Sequence, residues 1–284
     1  DIIDIPSATR SRSAHNNHTL GIPMTTRRSR EEHLQMNQAA WDACHRAWHE
    51  AETGPTWYED FRNGAVDLQD KALELLGPVS GLDILQLSCA GDASQAFSLA
   101  NVTANDFSPV AIDLARENAA KVNIDVDFVV DDSQRLSTLR DNQFDIVFAD
   151  YNLWYYEDLA LACRNWCRVL RPGGRLILHE EHPLTTWCLE RDADSERWKV
   201  KQSYDDPTPE YYSGEESGPF SHGDPKLEAV EFPHTMSDIL NAVFQSGLIA
   251  DSLIEQTREN TKGTSGGKLP GDFWVVAHKP NVFP

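Results

Sequence analysis

The stretch Ile84-Leu85-Gln86-Leu87-Ser88-Cys89-Ala90-Gly91-Asp92 decides the fold. A short, largely apolar run passes straight into small residues, the pattern of a strand that turns into a helix, and Ala93 to Ala100 read as that helix. The unit recurs downstream. Val102 to Asn105 reads as a second strand, and Ser108-Pro109 opens a helix through Lys121, with Ser at the cap and Pro in the first turn. Val126 to Val130 and Phe144 to Ala149 are the third and fourth strands; a helix from Tyr156 to Leu170, a turn at Arg171-Pro172-Gly173-Gly174 and a fifth strand from Arg175 to Glu180 follow. Strands alternating with helices at this spacing imply right-handed crossovers, hence an α/β fold with a parallel sheet and helices on both faces.

Outward from this core, apolar positions recur at helical spacing from Glu31 to Glu52, and a second helix is expected from Val66 to Leu76. Residues 1–30, rich in Ser, Thr, Asn and Arg, read as a flexible or extended arm, and no signal peptide is expected. Residues 184–234 break the rhythm with Pro, Gly, acidic and aromatic clusters and are expected to form an inserted cap. A capped helix from Thr235 to Gly247 and two strands near Ser252–Glu255 and Phe273–His278 complete the chain. The expected organisation is one domain over 31–284: a helical lid at 31–80, a ligand-binding core at 81–183, the cap, and a C-terminal unit at 235–284.

Of 284 residues, 45 are acidic and 25 basic, a formal net charge of -20, which opposes binding to bulk DNA, RNA or anionic membrane. No apolar run approaches the roughly 18 residues of a membrane span. Five cysteines, an odd count without framework spacing, read as reduced thiols in a cytoplasmic protein; Cys163 and Cys167 fall in an amphipathic helical pattern, and no metal site is expected. A homodimer is left open.

In an open parallel sheet, ligands bind beyond the carboxyl ends of the strands. Ser88 to Asp92 is a turn of small residues that lets a ligand approach the backbone. Asp106, after the second strand, can accept two hydrogen bonds from vicinal ribose hydroxyls, and Asp131-Asp132-Ser133, after the third, offers a carboxylate to an adenine amino group. Asp150-Tyr151-Asn152 ends the fourth strand, ahead of Trp154, Tyr155 and Tyr156. Singly, each has a structural alternative: a helix cap, a solvated turn, core packing. In this order they point to an adenosine-containing cofactor.

The run from Leu85 to Leu178 resembles the class I S-adenosylmethionine-dependent methyltransferases, in their small-molecule branch. The matching pieces are Leu-Gln-Leu-Ser-Cys-Ala-Gly-Asp at 85–92, Asn-Asp-Phe-Ser-Pro-Val-Ala-Ile at 105–112, Asp-Asp-Ser at 131–133, Phe-Asp-Ile-Val-Phe-Ala-Asp at 144–150 and Leu-Arg-Pro-Gly-Gly-Arg-Leu at 170–176. The flanks resemble one bacterial-type subgroup through Asn37 to Asp42, His182-Pro183, Tyr204 to Pro207 and Leu269-Pro270. The resemblance implies a Rossmann-like, mostly parallel seven-stranded sheet and S-adenosyl-L-methionine as cofactor. It assigns cofactor binding to Gln86, Ser88, Cys89, Ala90, Gly91, Asp106, Phe107, Asp131, Asp132, Ser133 and Asp150. Two departures stand out: Gln86 replaces the usual acid, and Ser88 and Ala90 replace the usual glycines. Gln86 can still accept from the methionyl ammonium through its side-chain carbonyl, without the charge.

Methyl transfer from a sulfonium is an in-line displacement, so the site must align a nucleophile and exclude water. His179-Glu180-Glu181-His182 ends the fifth strand where an acceptor should lie, and alternation places His179 with Glu181 and Glu180 with His182. His182 and Glu181 are the expected catalytic residues; strand spacing of the two histidines differs from that of helical zinc motifs. Trp57, Tyr58, Tyr151, Trp154, Tyr155 and Tyr204 are expected to wall the acceptor. The expected function is methylation of a small molecule. The alternatives are a nucleic-acid or protein methyltransferase, disfavoured by Asp150-Tyr151-Asn152-Leu153 and the missing basic groove, and a cofactor-binding protein of the same fold without catalysis.

Overall fold

The computed structural model describes residues 28–51, 60–99, 101–191, 198–213, 224, 226–257 and 269–281. Its helices are α1 (Arg30–Ala51), α2 (Asp70–Leu76), α3 (Ser94–Phe97), α4 (Pro109–Val122), α5 (Leu159–Val169) and α6 (Met236–Gln245). The strands are β1 (Ile84–Leu87), β2 (Val102–Asp106), β3 (Asp127–Val130), β4 (Phe144–Asp150), β5 (Leu170–Glu181), β6 (Leu189–Arg191), β7 (Trp198–Val200), β8 (Glu210–Ser213), β9 (Glu228–Glu231), β10 (Ile249–Thr257) and β11 (Pro270–His278).

Seven strands form one sheet in the order β10-β11-β5-β4-β1-β2-β3. Neighbours pair in parallel from β3 to β5, and β11 runs antiparallel to both β5 and β10. The expected Rossmann-like, mostly parallel seven-stranded sheet is present. The winding reverses between β1 and β4, which opens a crevice beyond their carboxyl ends.

Every residue of β1 is buried, as both faces of a central parallel strand must be. Successive side chains leave the strand on opposite sides, so Leu85 and Leu87 join Trp166 of α5 and Ile239 of α6. Ile84 joins Leu76 of α2 and Ile112 of α4 in the other layer.

Element ends depart from the sequence reading for local reasons. Asp67 donates its backbone N–H to Ser98 Oγ at 2.8 Å, and α2 begins only at Asp70, not at Val66. The helix expected from Ala93 to Ala100 is the single turn α3, entered through Ala93 in a left-handed conformation. Asp158 caps α5 by accepting from Leu161 N at 2.9 Å, so Tyr156 stays outside that helix. The turn at 171–174 is absorbed into β5; a Cβ at Gly174 would lie 2.9 Å from the Arg171 carbonyl oxygen and 3.1 Å from that of Asp145, and only glycine fits.

Helix α1 starts at a capping box in which Glu32 accepts from the N–H and hydroxyl of Ser29 while Ser29 Oγ accepts from Glu32 N. It is fastened across the carboxyl ends of the sheet. The Asn37 amide donates to Val230 O at 2.9 Å and accepts from Val230 N at 2.7 Å, standing in for a neighbouring strand beside β9, and Gln38 donates to Phe107 O at 2.7 Å. Between residues 184 and 234 lie the antiparallel pairs β6-β7 and β8-β9. Among the described residues no helix is long and apolar enough to cross a membrane, and the five cysteines are free thiols.

Candidate active site

A cavity of about 720 Å3 opens at the reversal between β1 and β4, within the 300–1,000 Å3 range usual for small-molecule sites. One wall is a helical stripe of α1, Arg30, Leu34, Asn37, Trp41 and His45, spaced by three or four residues so that they face one way, with His33 beside Leu34. Burial lowers the His45 imidazole to about 4, which keeps that wall neutral there.

The loop after β1 forms the floor. Ser88 and Ala90 both adopt positive φ, 52° and 58°, the conformation for which glycine is the default residue. They keep the glycine-type backbone at a strain of about 1–2 kcal/mol each. Ser88 Oγ lies 3.1 Å from both Ser133 Oγ and Tyr156 Oη, a link between β1, the loop after β3 and the chain after β4. Cys89 also lines the floor; burial, then Asp106, raises its thiol well above the usual value, so it sits there as a neutral small side chain. Gly91 lines a smaller adjoining hollow of about 200 Å3 instead.

Asp106 is 3% exposed at the end of β2, and its two oxygens accept from Ala90 N at 3.1 Å and Ser108 N at 2.9 Å. The backbone N–H of Phe107 also bears on this carboxylate, and of its four lone pairs one remains for a further donor. Burial lifts this carboxyl to about 6 against the pull of those N–H groups. Phe107, Asp132 and Ser133 also line the cavity. Burial raises the Asp132 carboxyl, while Gln134 N at 2.9 Å and Arg135 counteract the shift. Asp131 does not line the cavity: Ser137 Oγ, Thr138 N and Thr138 Oγ1 occupy its carboxylate at 3.1, 2.7 and 2.6 Å, and it folds the loop after β3.

Gln86 lines the cavity at the end of β1 and is 3% exposed. Its Nε2 donates to Gln95 Oε1 at 3.0 Å, and its Oε1 has no hydrogen-bond partner. An unpaired buried acceptor costs about 1–3 kcal/mol, and a ligand donor would relieve it. Gln95 Nε2 donates in turn to Asp150 Oδ2, and Asp150 Oδ1 lies 2.6 Å from His179 Nδ1. Gln95 carried no signal in the sequence, since α3 brings it to β1 only in the fold.

The other half of the cavity is aromatic and carboxylic. Trp41, Trp154, Tyr155 and Phe232 line it, with Tyr151 at its edge, 41% exposed. Glu180, Glu181 and Glu231 converge there. Glu180 is 1% exposed, and its oxygens accept from Leu153 N and Glu181 N, both at 2.8 Å. Burial nevertheless raises its carboxyl to about 8. Burial raises the Glu231 carboxyl as well, against the pull of the Tyr155 phenol beside it; the Tyr212 hydroxyl donates to Glu210 at 2.8 Å. Glu231 and Trp41 reach the cavity from β9 and α1, which no spacing near the motifs foretold.

His182 does not line the cavity. Its Nε2 is 2.9 Å from Glu255 Oε1 on β10, and its Nδ1 accepts from Leu184 N at 3.2 Å. Strand β5 ends at Glu181, so the face alternation that paired Glu180 with His182 stops one residue too early. Tyr204 is likewise elsewhere, its hydroxyl accepting from Met236 N at 2.8 Å at the start of α6. Trp57 and Tyr58 lie outside the described residues, as do residues 1–27 of the expected arm.

Residues 85–178 match the model of the methyltransferase domain family. Over 127 residues the chain is 29% identical to the ubiquinone biosynthesis O-methyltransferase of Xanthomonas oryzae pv. oryzae, covering 40% of this chain and 53% of that protein. Over 82 residues it is 34% identical to the demethylmenaquinone methyltransferase of Deinococcus radiodurans, covering 29% and 34% respectively. The chain thus spans about half the length of the first of these relatives, and less of the second. The fold is similar to that of an S-adenosylmethionine-dependent methyltransferase from Mesorhizobium loti, with a TM-score of 0.56 and 23% identity over 76% of this chain and 99% of that one.

Proposed function

We propose that this chain, whose residues 85–178 match the methyltransferase domain family, is an S-adenosylmethionine-dependent methyltransferase that methylates a small-molecule acceptor inside the cavity at the β1/β4 reversal. The residues present fit the cofactor. Asp106 keeps acceptor capacity for a ribose hydroxyl, Asp132 stands at the adenine end, and the unpaired Gln86 Oε1 is an acceptor for the methionyl ammonium. The bound cofactor would supply a methyl group on a sulfonium, an electrophile that needs only an aligned lone pair.

The observation that carries the proposal is that one cavity joins these groups to the pocket of Trp41, Trp154, Tyr155, Glu180 and Glu231. Helix α1 closes the pocket over the acceptor and limits water, which protects the electrophile. Glu180 is the base we place there: a carboxyl poised near 8 is matched to taking a proton from a hydroxyl or ammonium acceptor. Glu181 shares the wall, whereas His182 positions the turn into residues 184–188. The quinone-type acceptors named for the curated relatives make phenols the first compounds to try.

The test is transfer of label from methyl-labelled S-adenosylmethionine to a panel of phenols and amines. Label in a small product supports the proposal. Saturable cofactor binding with no transfer to any of them, and transfer to protein or RNA instead, would contradict it.

A further inference from the structure

The loss of the acid at position 86 is matched by an acid two side chains away. Asp150 ends β4, its side chain 4% exposed, and Gln95 stands between it and Gln86. An ionised carboxylate offers only acceptors, so it fixes which end of the Gln95 amide faces it: the NH2 end. The Gln95 carbonyl must then face Gln86 and takes the Gln86 NH2, leaving Gln86 Oε1 without a partner. An isolated glutamine amide has no preferred end. Here the orientation of two amides follows from one carboxylate, itself held through Oδ1 by His179, which is fully buried and stacked on Trp274 at 3.9 Å between ring centroids.

We propose that Asp150, acting through Gln95, is the positioning residue that holds the Gln86 carbonyl ready for the ammonium group of the cofactor's amino-acid end, so that the charge opposing that ammonium is carried by β4 and not by β1. The inference rests on the cofactor assignment and goes beyond it. Glutamate at 86 would conflict with this arrangement, since Gln95 has a single donor end and two carboxylates would compete for it. The departure at 86 and the Asp150–Gln95 pair therefore belong together.

Two probes separate the ammonium from the nucleoside: S-adenosylhomocysteine, which carries it, and 5′-deoxy-5′-methylthioadenosine, which lacks the amino-acid end. Calorimetric titration of both is run on the full chain, on Asp150→Asn, on Gln95→Leu and on the double variant Gln86→Glu/Asp150→Asn. Expected is at least a tenfold loss of S-adenosylhomocysteine affinity in each single variant, with methylthioadenosine affinity unchanged within twofold. In the double variant the charge has moved to position 86 with Gln95 free to turn its donor end toward it, and S-adenosylhomocysteine affinity recovers to within threefold of the starting protein. Unchanged S-adenosylhomocysteine affinity in Gln95→Leu, equal losses for both probes, or a double variant no better than Asp150→Asn overturns the relay. Retained methylthioadenosine binding reports an intact site in each variant. If the unaltered protein bound neither probe, the cofactor assignment itself would fail, a result distinct from failure of the relay.

Discussion

The Asp106 carboxylate accepts the backbone N–H of Ala90 at 3.1 Å, which ties the end of β2 to the loop after β1. The acid proposed to bind the ribose thereby also shapes the floor of the cavity. Asp106→Ala is expected to weaken S-adenosylmethionine binding by roughly a hundredfold, the loss of one charge-assisted hydrogen bond. Calorimetry reads the effect, and circular dichroism should show an unchanged fold.

The same carboxyl predicts a pH dependence. Folded Asp106 titrates near 6, above its ordinary 3.8, so the folded protein binds this proton more tightly than the unfolded chain. Its contribution to stability is therefore greatest below 3.8 and is lost as pH rises through 6. Cofactor binding runs the other way, because only the ionised form offers its remaining lone pair to the ribose. Affinity is expected to fall as pH drops through 6, and to be flat across that range in Asp106→Asn.

Ala90 at φ 58° pays a strain that glycine would not. Ala90→Gly is expected to stabilise the protein by about 0.5–1 kcal/mol, the relief of left-handed strain less the extra freedom glycine gives the unfolded chain. Denaturant unfolding checks it. Ser88→Gly should gain less, because Ser88 Oγ contacts Ser133 and Tyr156.

For Glu180 the sign is worked from its raised value of about 8. The protonated carboxyl cannot act as a base, so turnover on a hydroxyl acceptor should rise with pH through 8 and level off above it. Glu180→Gln is expected to lower kcat by roughly 10²–10⁴-fold with cofactor affinity retained. The variant should also flatten the decline in stability between 4.5 and 8 that the buried acid imposes.

His182→Ala should leave kcat within about threefold, since the imidazole faces Glu255 and not the cavity. Its half-exposed hydrogen-bond partner Glu255 limits the stability cost to about 1 kcal/mol. A hundredfold fall in kcat with unchanged stability would return the base to His182.

Legibility followed the distance over which each residue acts. That Asp106, Ser88 and Ala90 line the cavity was readable because a parallel sheet opens its crevice at the strand ends, and strand ends can be counted along the chain. The seven-stranded sheet was legible for the same reason, down to a turn at 171–174 that the structure folds into β5. Asp131 was misleading because an adjacent hydroxyl turn, Ser137 and Thr138, consumes its carboxylate. Gln95 and Glu231 were silent, since each reaches the cavity only through the packing of α3 or β9, and Trp41 was visible only as part of the flanking pattern at Asn37 to Asp42. Strand β5 ends at Glu181, one residue short of His182, whose imidazole is held by Glu255.

The central claim is that the cavity at the β1/β4 reversal binds S-adenosylmethionine through Asp106. Calorimetric titration of the full chain with S-adenosylmethionine tests it most directly. The account predicts a saturable one-to-one isotherm that is lost or shifted roughly a hundredfold in Asp106→Ala. No heat at millimolar cofactor, or an isotherm indifferent to Asp106, would contradict it.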